Sequence, residues 1–545
     1  MEQLDLQKRL IIALALSFLV FVGSSYFMGG VQPAGTTQTG ATQDSNQTAQ
    51  NQKVNNQAPA AVSSSTASKA PAAQKSAAAA APLQDSGKVL ATITSDISLT
   101  TIDEFGRIAQ VVLLEKKYRN DDGTNLKLLD PAAVKPLEIR FSDAALNEEA
   151  FKVPYQASAS ALNTQDAPAT IILTQSLTDL TVTKEITFYA DGHYDLHIKT
   201  SKPVDYFLTT GARPIADTSM YMLVKGALVK GSDGIITTIE DGDATGDEIF
   251  NNALFAAAID RYYASVLYDL KKGLDVTVAK GKNDNPLIFV KGESESVMQG
   301  YIGPKEYSTL KALSPELTDV IEYGWFTFLS KPFFAVIVWI HGFVGNWGWA
   351  IILFTLLVKI ILFPLSYKGM MSMQKLKDLA PKMKELKAKY GKDPQKMNAK
   401  MMEMYKKNGA NPMGGCLPML LQIPVFFALY RVLLNADELQ GAPWILWIQD
   451  LSRMDPYYVL PVLMGASMYF QQKITPSNIT DPLQEKIFKF FPVIMTVFFV
   501  TFPSGLVLYW LTNNILSIGQ QYYINMAYEK HKAAAIAEHH KSQKG

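Results

Sequence analysis

Lys359 stands inside the apolar stretch ILFTLLVKIILFP (352–364), with no acidic residue between Trp347 and Tyr367. A lysine at the centre of a membrane helix costs ~2.5–3.5 kcal/mol on insertion scales, so its presence needs a physical reason. Three stand open. The long stem can snorkel toward the headgroups. The ammonium can pair with a buried carboxylate, although the apolar segments offer no clear one. Or it can face a water-filled cavity open to one side. Polar residues nearby and on other apolar segments favour the cavity. Thr355 lies one turn from Lys359 on the same helix face, and Gln422 sits inside another apolar segment. Asn513, Asn514, Ser517 and Gln521 follow one another at short helical steps, most of them on one stripe with Trp510. Each alone is more often glue between helices. Together with an unpaired cation they describe a hydrophilic groove, and its chemistry is to attract and solvate a passing polar segment.

Two other constellations could do covalent chemistry. Ser504-Gly505 resembles part of a serine-nucleophile motif, but no histidine lies in the apolar spans to activate it. His193 and His197, four apart on an expected strand, share a face. They read either as a site or as two polar residues on a solvated surface. The one cysteine, Cys416, allows neither an intramolecular disulfide nor a thiolate metal site. No cofactor, metal or catalysed reaction is expected. The net charge of +1 gives no overall bias toward nucleic acid, and DNA is not an expected partner.

The elements that must hold the groove follow from hydropathy. Leu10–Met28 is an apolar run behind Lys8 and Arg9, read as an uncleaved anchor over 1–30 rather than a signal peptide, because no small-x-small cleavage site closes it. Further spans are expected at Trp347–Tyr367, Gly414–Leu434, Tyr457–Ile474, Ile487–Phe502 and Leu506–Ile524, six in all. Ser366–Pro412 holds twelve lysines and four acidic residues, 12 − 4 = +8, so the positive-inside rule puts this loop in the cytoplasm. Ala436–Pro456 carries Asp437, Glu438, Asp450 and Asp455 against Arg453 and belongs outside. Both termini then fall in the cytoplasm. Phe333–Val344 is too short, at about 12 residues, to cross ~30 Å of hydrocarbon. The segment 323–345 is therefore read as an amphipathic helix on the outer surface.

Between anchor and core, residues 31–87 are polar, contain no aromatic residue and read as a flexible tether. Residues 88–322 alternate like paired strands, as in LTVTKEITFYADGHYDLHIKT (180–200) with Asp191-Gly192 at the turn, and predict a large all-β sandwich. Within the lysine-rich loop, Met373, Leu376, Leu379, Met383, Leu386 and Tyr390 form one seam. Met397, Met401 and Met404 continue a second after GKDP (391–394), which predicts an antiparallel helical hairpin over 368–411. Its outer lysines, Lys375, Lys377, Lys382, Lys384 and Lys387, are either a solvated face or a contact for anionic headgroups or ribosomal RNA. Met383 and its neighbours would give an adaptable apolar surface. Residues 346–525 form the core and 526–545 a basic tail.

NPMGGCLPMLLQIPVFFALY (411–430), LWIQDLS (446–452), DPYYVLPVLMG (455–465) and FPSGLVLYW (502–510) resemble the YidC membrane protein insertases of Gram-negative bacteria, relatives of the Oxa and Alb insertases. The resemblance covers essentially the whole chain. It implies five core spans around a hydrophilic groove open to the cytoplasm and to lipid, and a periplasmic β-supersandwich without a known enzymatic role. It also implies nascent membrane proteins as substrates, the ribosome and the Sec translocon as partners, and the inner membrane as location. The family's groove cation is usually arginine, at the position of Lys359 here, and relatives often carry tyrosine at the position of Trp510. A transporter, which predicts internal repeats, and a passive anchor for the β domain are the rival readings.

Overall fold

The computed structural model describes residues 87–120, 122–215, 224–390, 393–408, 417–475 and 482–542. The anchor expected over 1–30 and nearly all of the tether lie outside them, as does NPMGGC (411–416).

Residues 89–304 form three sheets among the described residues. The largest has nine strands, and its centre pairs Tyr263–Tyr268, Glu295–Pro304, His193–Thr200 and Thr181–Phe188, each antiparallel to the next. The expected hairpin is present: Thr181–Phe188 and His193–Thr200 pair in register Val182↔Thr200 to Phe188↔Tyr194. Gly192 takes φ +85° at the turn, a conformation in which glycine is at ease. Val182, Ile186 and Phe188 point inward with Tyr194, Leu196 and Ile198 of the partner strand, as alternation requires. A five-stranded and a four-stranded sheet complete the sandwich.

The C-terminal part is helical. Its helices are α1 (Thr327–Val344), α2 (Trp347–Tyr390), α3 (Pro394–Lys407), α4 (Leu417–Asn435), α5 (Val459–Ile474), α6 (Pro482–Phe499) and α7 (Ser504–Ser542). One hydrophobic cluster runs from the large sheet through Tyr301 and Phe255 into α1, α2, α4, α5 and α7. Beyond Tyr367, α2 packs on α3 through Leu376, Leu379 and Met383 against Met401, Met404 and Tyr405.

α1 lies within the segment 323–345. It has 18 residues, and Lys331 and Pro332 stand inside it, so the helix is longer than the apolar run Phe333–Val344. Proline lacks one N–H and so forfeits the bond to the carbonyl four residues back, and its ring crowds that carbonyl. Lys331 is neutralised by Asp319. Ser330, Phe334, Ile337 and Ile340 are the buried stripe, with the Ser330 hydroxyl donating to the Ala428 carbonyl of α4 at 3.2 Å, while Phe328, Trp339 and Phe343 are exposed. By length and mean hydropathy both α1 and the first part of α2 could cross a membrane.

Gly465 sets how near α5 and α6 approach. A Cβ there would overlap the Thr496 hydroxyl and lie 3.1 Å from its Cβ. Gly465→Leu is therefore expected to force the two helices apart, at a cost of about 1–3 kcal/mol, seen as a lower unfolding temperature of the detergent-solubilised protein. Gly465→Ala should cost less, because rotation about one bond can move the Thr496 hydroxyl away. Equal stability of the leucine variant would show that the contact is loose.

Candidate substrate groove

Lys359 lies on the α2 face turned to α7. Its ammonium donates to the Ser517 hydroxyl at 2.8 Å, and that hydroxyl donates in turn to the Asn513 carbonyl at 2.7 Å. No carboxylate pairs with Lys359 among the described residues. The side chain thus points inward along the polar stripe of α7, and its partner is neutral.

The other expected groove residues divide. Thr355 is buried and donates to Ile351 within its own helix at 2.7 Å, so its hydroxyl is already used. Gln422 of α4 is half-buried and hydrogen-bonds the Tyr509 hydroxyl. Asn513, Asn514, Ser517 and Gln521 are all buried, but they do not serve one partner. Asn514 donates to Ser467 of α5 at 3.0 Å, whereas Gln521 donates to Asn525 at 2.7 Å. The Trp510 ring meets Phe426 of α4 edge-on at 4.7 Å and Phe499 of α6 at 5.1 Å. These residues share one side of α7, but the helices opposite that side change along its length, so each residue finds its own partner.

Lys375, Lys377, Lys382 and Lys384 are exposed on α2 and Met383 is half-buried in the seam with Tyr405, whose hydroxyl donates to the Met383 sulfur at 3.5 Å. The Lys387 side chain lies outside the described residues.

The two covalent candidates dissolve into local contacts. The Ser504 hydroxyl donates to the Arg453 carbonyl at 2.7 Å, as does its backbone N–H, and so fastens the start of α7. His193 pairs with Asp191 and stacks on Tyr189, while His197 meets Glu295 at 2.9 Å. Each histidine has its own carboxylate, on the partly exposed sheet face.

Spacing gave no hint of how the β domain seizes the loop after α4. Arg261 donates to the Leu434 carbonyl at 2.8 Å and so satisfies an orphan acceptor at the C-terminus of α4. Tyr118 donates to Asp437 at 2.6 Å, with the Lys117 ammonium at 3.4 Å, and Glu438 accepts the Tyr307 N–H at 2.8 Å. Asn435 returns a bond to the Glu322 carbonyl at 2.8 Å. Burial pushes the Asp437 carboxyl up to about 6 and that of Glu438 to about 8.

Residues 91–336 match the family described as YidC periplasmic domain, and residues 339–532 the one described as 60Kd inner membrane protein. A protein of Wolinella succinogenes named "Membrane protein insertase YidC" is 49% identical over 540 residues, covering 98% of this chain and 98% of its own length. One of the same name from Campylobacter jejuni is 48% identical over 541 residues, covering 99% and 98%. The chain belongs to the YidC family of membrane protein insertases. A crystal structure of an active YidC insertase with its first transmembrane domain resolved is similar at 20% identity, over 79% of this chain and 91% of that one, with TM-score 0.35. In YidC terms the β sandwich is the periplasmic domain and α2 to α7 belong to the inner-membrane part, with α1 straddling the two matches. The family name describes placement of proteins in a membrane rather than a covalent reaction.

Proposed function

We propose that this insertase lowers the barrier to membrane insertion by receiving the polar flank of a nascent membrane protein in a groove between α2, α4 and α7, with Lys359 as its cation. Each Leu, Ile, Phe or Val of the new helix gains ~0.3–0.6 kcal/mol in the membrane. The barrier is the attached polar segment. A hydrated groove that ends part-way across shortens the apolar distance the segment must cross, and Lys359 attracts its acidic residues. At an effective dielectric of ~20 a carboxylate about 8 Å away gains ~2 kcal/mol. That is enough to matter and weak enough to release.

The observation that carries this reading is the hydrogen bond from Lys359 to Ser517: the ammonium is turned into the helix bundle, its partner is neutral, and its charge remains available. Charge asymmetry supports a cytoplasmic opening, with the α2–α3 pair and both termini in the cytoplasm. It also supports six spans, the first outside the described residues, and α1 along the periplasmic surface, where exposed Trp339 and Phe343 suit an interface. The lysines of α2 fit anionic headgroups or ribosomal RNA, and the family resemblance supports the ribosome and the Sec translocon as partners.

Insertion of a single-span substrate with an acidic tail tests the electrostatic step. Lys359→Arg is expected to keep most of the rate. Lys359→Ala should slow insertion about tenfold, the ~1.4 kcal/mol equivalent of a partly screened attraction, and Lys359→Glu should fall below alanine. A glutamate variant that inserts as well as the parent would sink the proposal. Photocrosslinking from position 422 to stalled nascent chains checks the path independently.

A further inference from the structure

The polar stripe of α7 does not stop at the groove. Asn513, Ser517, Gln521, Asn525, Tyr528 and Lys532 follow at steps of four, four, four, three and four, so one helix face carries polar groups through five turns. α2 answers with Lys359, Gln374 and Asp378. Gln374 donates to the Asn525 side-chain oxygen, which also accepts Gln521 at 2.7 Å, and Asn525 in turn donates to the carbonyl of Ile474, the last residue of α5, at 3.4 Å. One turn further on, the Asp378 carboxylate accepts the Tyr528 hydroxyl at 2.9 Å and the Lys532 ammonium at 2.8 Å.

Position decides what these contacts do. Gln374 and Asp378 lie seven and eleven residues beyond Tyr367, or ~10 and ~16 Å past the expected end of the span. Gln374 is only 5% exposed and Gln521 2%, with Asn525 half-buried between them, while the Asp378 set is more open to water. A polar segment moving between α2 and α7 toward Lys359 from this side meets amides and a carboxylate rather than apolar packing. Water or the segment itself can replace each of those bonds, which makes the seam easy to part and easy to reclose.

We propose that the Gln374–Asn525–Gln521 and Asp378–Tyr528–Lys532 contacts are a latch that closes the cytoplasmic end of the α2–α7 seam, and that parting it admits the polar segment to Lys359. The inference rests on the groove reading above. It makes Asp378 and Asn525 positioning residues of the insertase: they hold the two long helices together and touch the substrate only in passing. It also ties the first arm of the helical pair to the C-terminal helix, so that a partner drawing on either would work the same latch.

A reversible lock tests it in the full-length protein. In a Cys416→Ser background, Asp378→Cys and Tyr528→Cys are joined by a short bis-methanethiosulfonate linker, which reductant removes. The linked protein is expected to insert the acidic-tailed substrate at least tenfold more slowly, and reductant should restore the rate. The unlinked double variant, its latch weakened, should insert faster than the Cys416→Ser background. Undiminished insertion by the linked protein overturns the latch, and so does a loss that reductant fails to reverse. Lys359→Ala in the same assay separates the two ideas. A slow alanine variant beside an unaffected linked protein rejects the latch and keeps the groove cation. A normal alanine variant beside a blocked linked protein does the reverse.

Discussion

Glu138→Ala is expected to destabilise the periplasmic domain by about 3–5 kcal/mol, the range for breaking a buried ion pair from one side. Glu138 is 1% exposed and receives two guanidiniums: Arg107 at 3.0 Å, and Arg140 through Nε at 2.9 Å and Nη2 at 2.8 Å. Arg107 is held again by Asp103 at 2.7 Å. Nearby, the buried Lys184 ammonium donates to the Gly106 and Leu137 carbonyls at 2.9 and 2.7 Å, and burial pulls its pKa down to about 7. Removing the Glu138 carboxylate leaves excess positive charge in a site that water does not reach. Glu138→Gln keeps the shape and one acceptor, and should lose roughly half as much. Urea unfolding of the detergent-solubilised full chain, followed through the β domain, gives the measurement. A loss below ~1 kcal/mol, the scale of an exposed pair, would mean that water penetrates the cluster.

That cluster marks where sequence reading runs out. Hydropathy, charge asymmetry and helical period were sufficient to locate α2, α4, α5, α6 and α7 and to single out Lys359. A bilayer admits few solutions for a charged residue and satisfies helical backbone only within the helix. Ser517 was reachable by the same period. Its bond to Lys359 was not, because rotation of α7 against α2 is set by packing. Thr355 shows the limit most simply: a hydroxyl one turn from a cation can always choose its own helix carbonyl instead. Asn525 is four residues past Gln521 but one beyond the expected end of the span, and its contacts with Gln374 and Gln521 are what bring it into the stripe. The β domain was readable as strands wherever one face is solvated, as in Thr181–Thr200. Lys184 lies on the buried side of that alternation, where a lysine would not be placed. The apolar run of α1 stops at Lys331-Pro332, whereas its helix continues back to Thr327, and only the structure reveals the ion pair that neutralises Lys331 there. Contacts such as Tyr118 with Asp437 join residues 319 apart, and nothing local in either segment announces the other.

The grip of the periplasmic domain on α4 is expected to weaken as pH rises from about 4 to about 8. Asp437 and Glu438 have ordinary values of 3.8 and 4.5, raised to about 6 and about 8 when docked, in both cases mainly by burial. The docked state therefore binds more protons than the separated state between those limits, and linkage makes docking strongest below the ordinary values. Stability is then lost progressively, on the order of a few kcal/mol in total, as pH passes through the raised ones. The groups facing the pair set the slope. Lys117 and Tyr118 favour the Asp437 carboxylate and limit its rise, while Glu306 opposes both carboxylates and Asp437 opposes Glu438. Buried Lys305, lowered to about 8, holds its proton on both sides of the transition until pH exceeds that value, and then adds stability in the opposite sense. Unfolding temperature measured from pH 4.5 to 8 should decline for the parent over the whole interval, and for Glu438→Gln, which keeps an acceptor for the Tyr307 N–H, only up to about pH 6, where Asp437 titrates. A parent profile that is flat above pH 6 would show that Glu438 remains hydrated. Because Arg261 and the acidic pair hold the same end of α4, one wall of the proposed groove should loosen over the same interval. Insertion by Arg261→Ala should then resemble the parent at high pH, and its pH dependence should shrink.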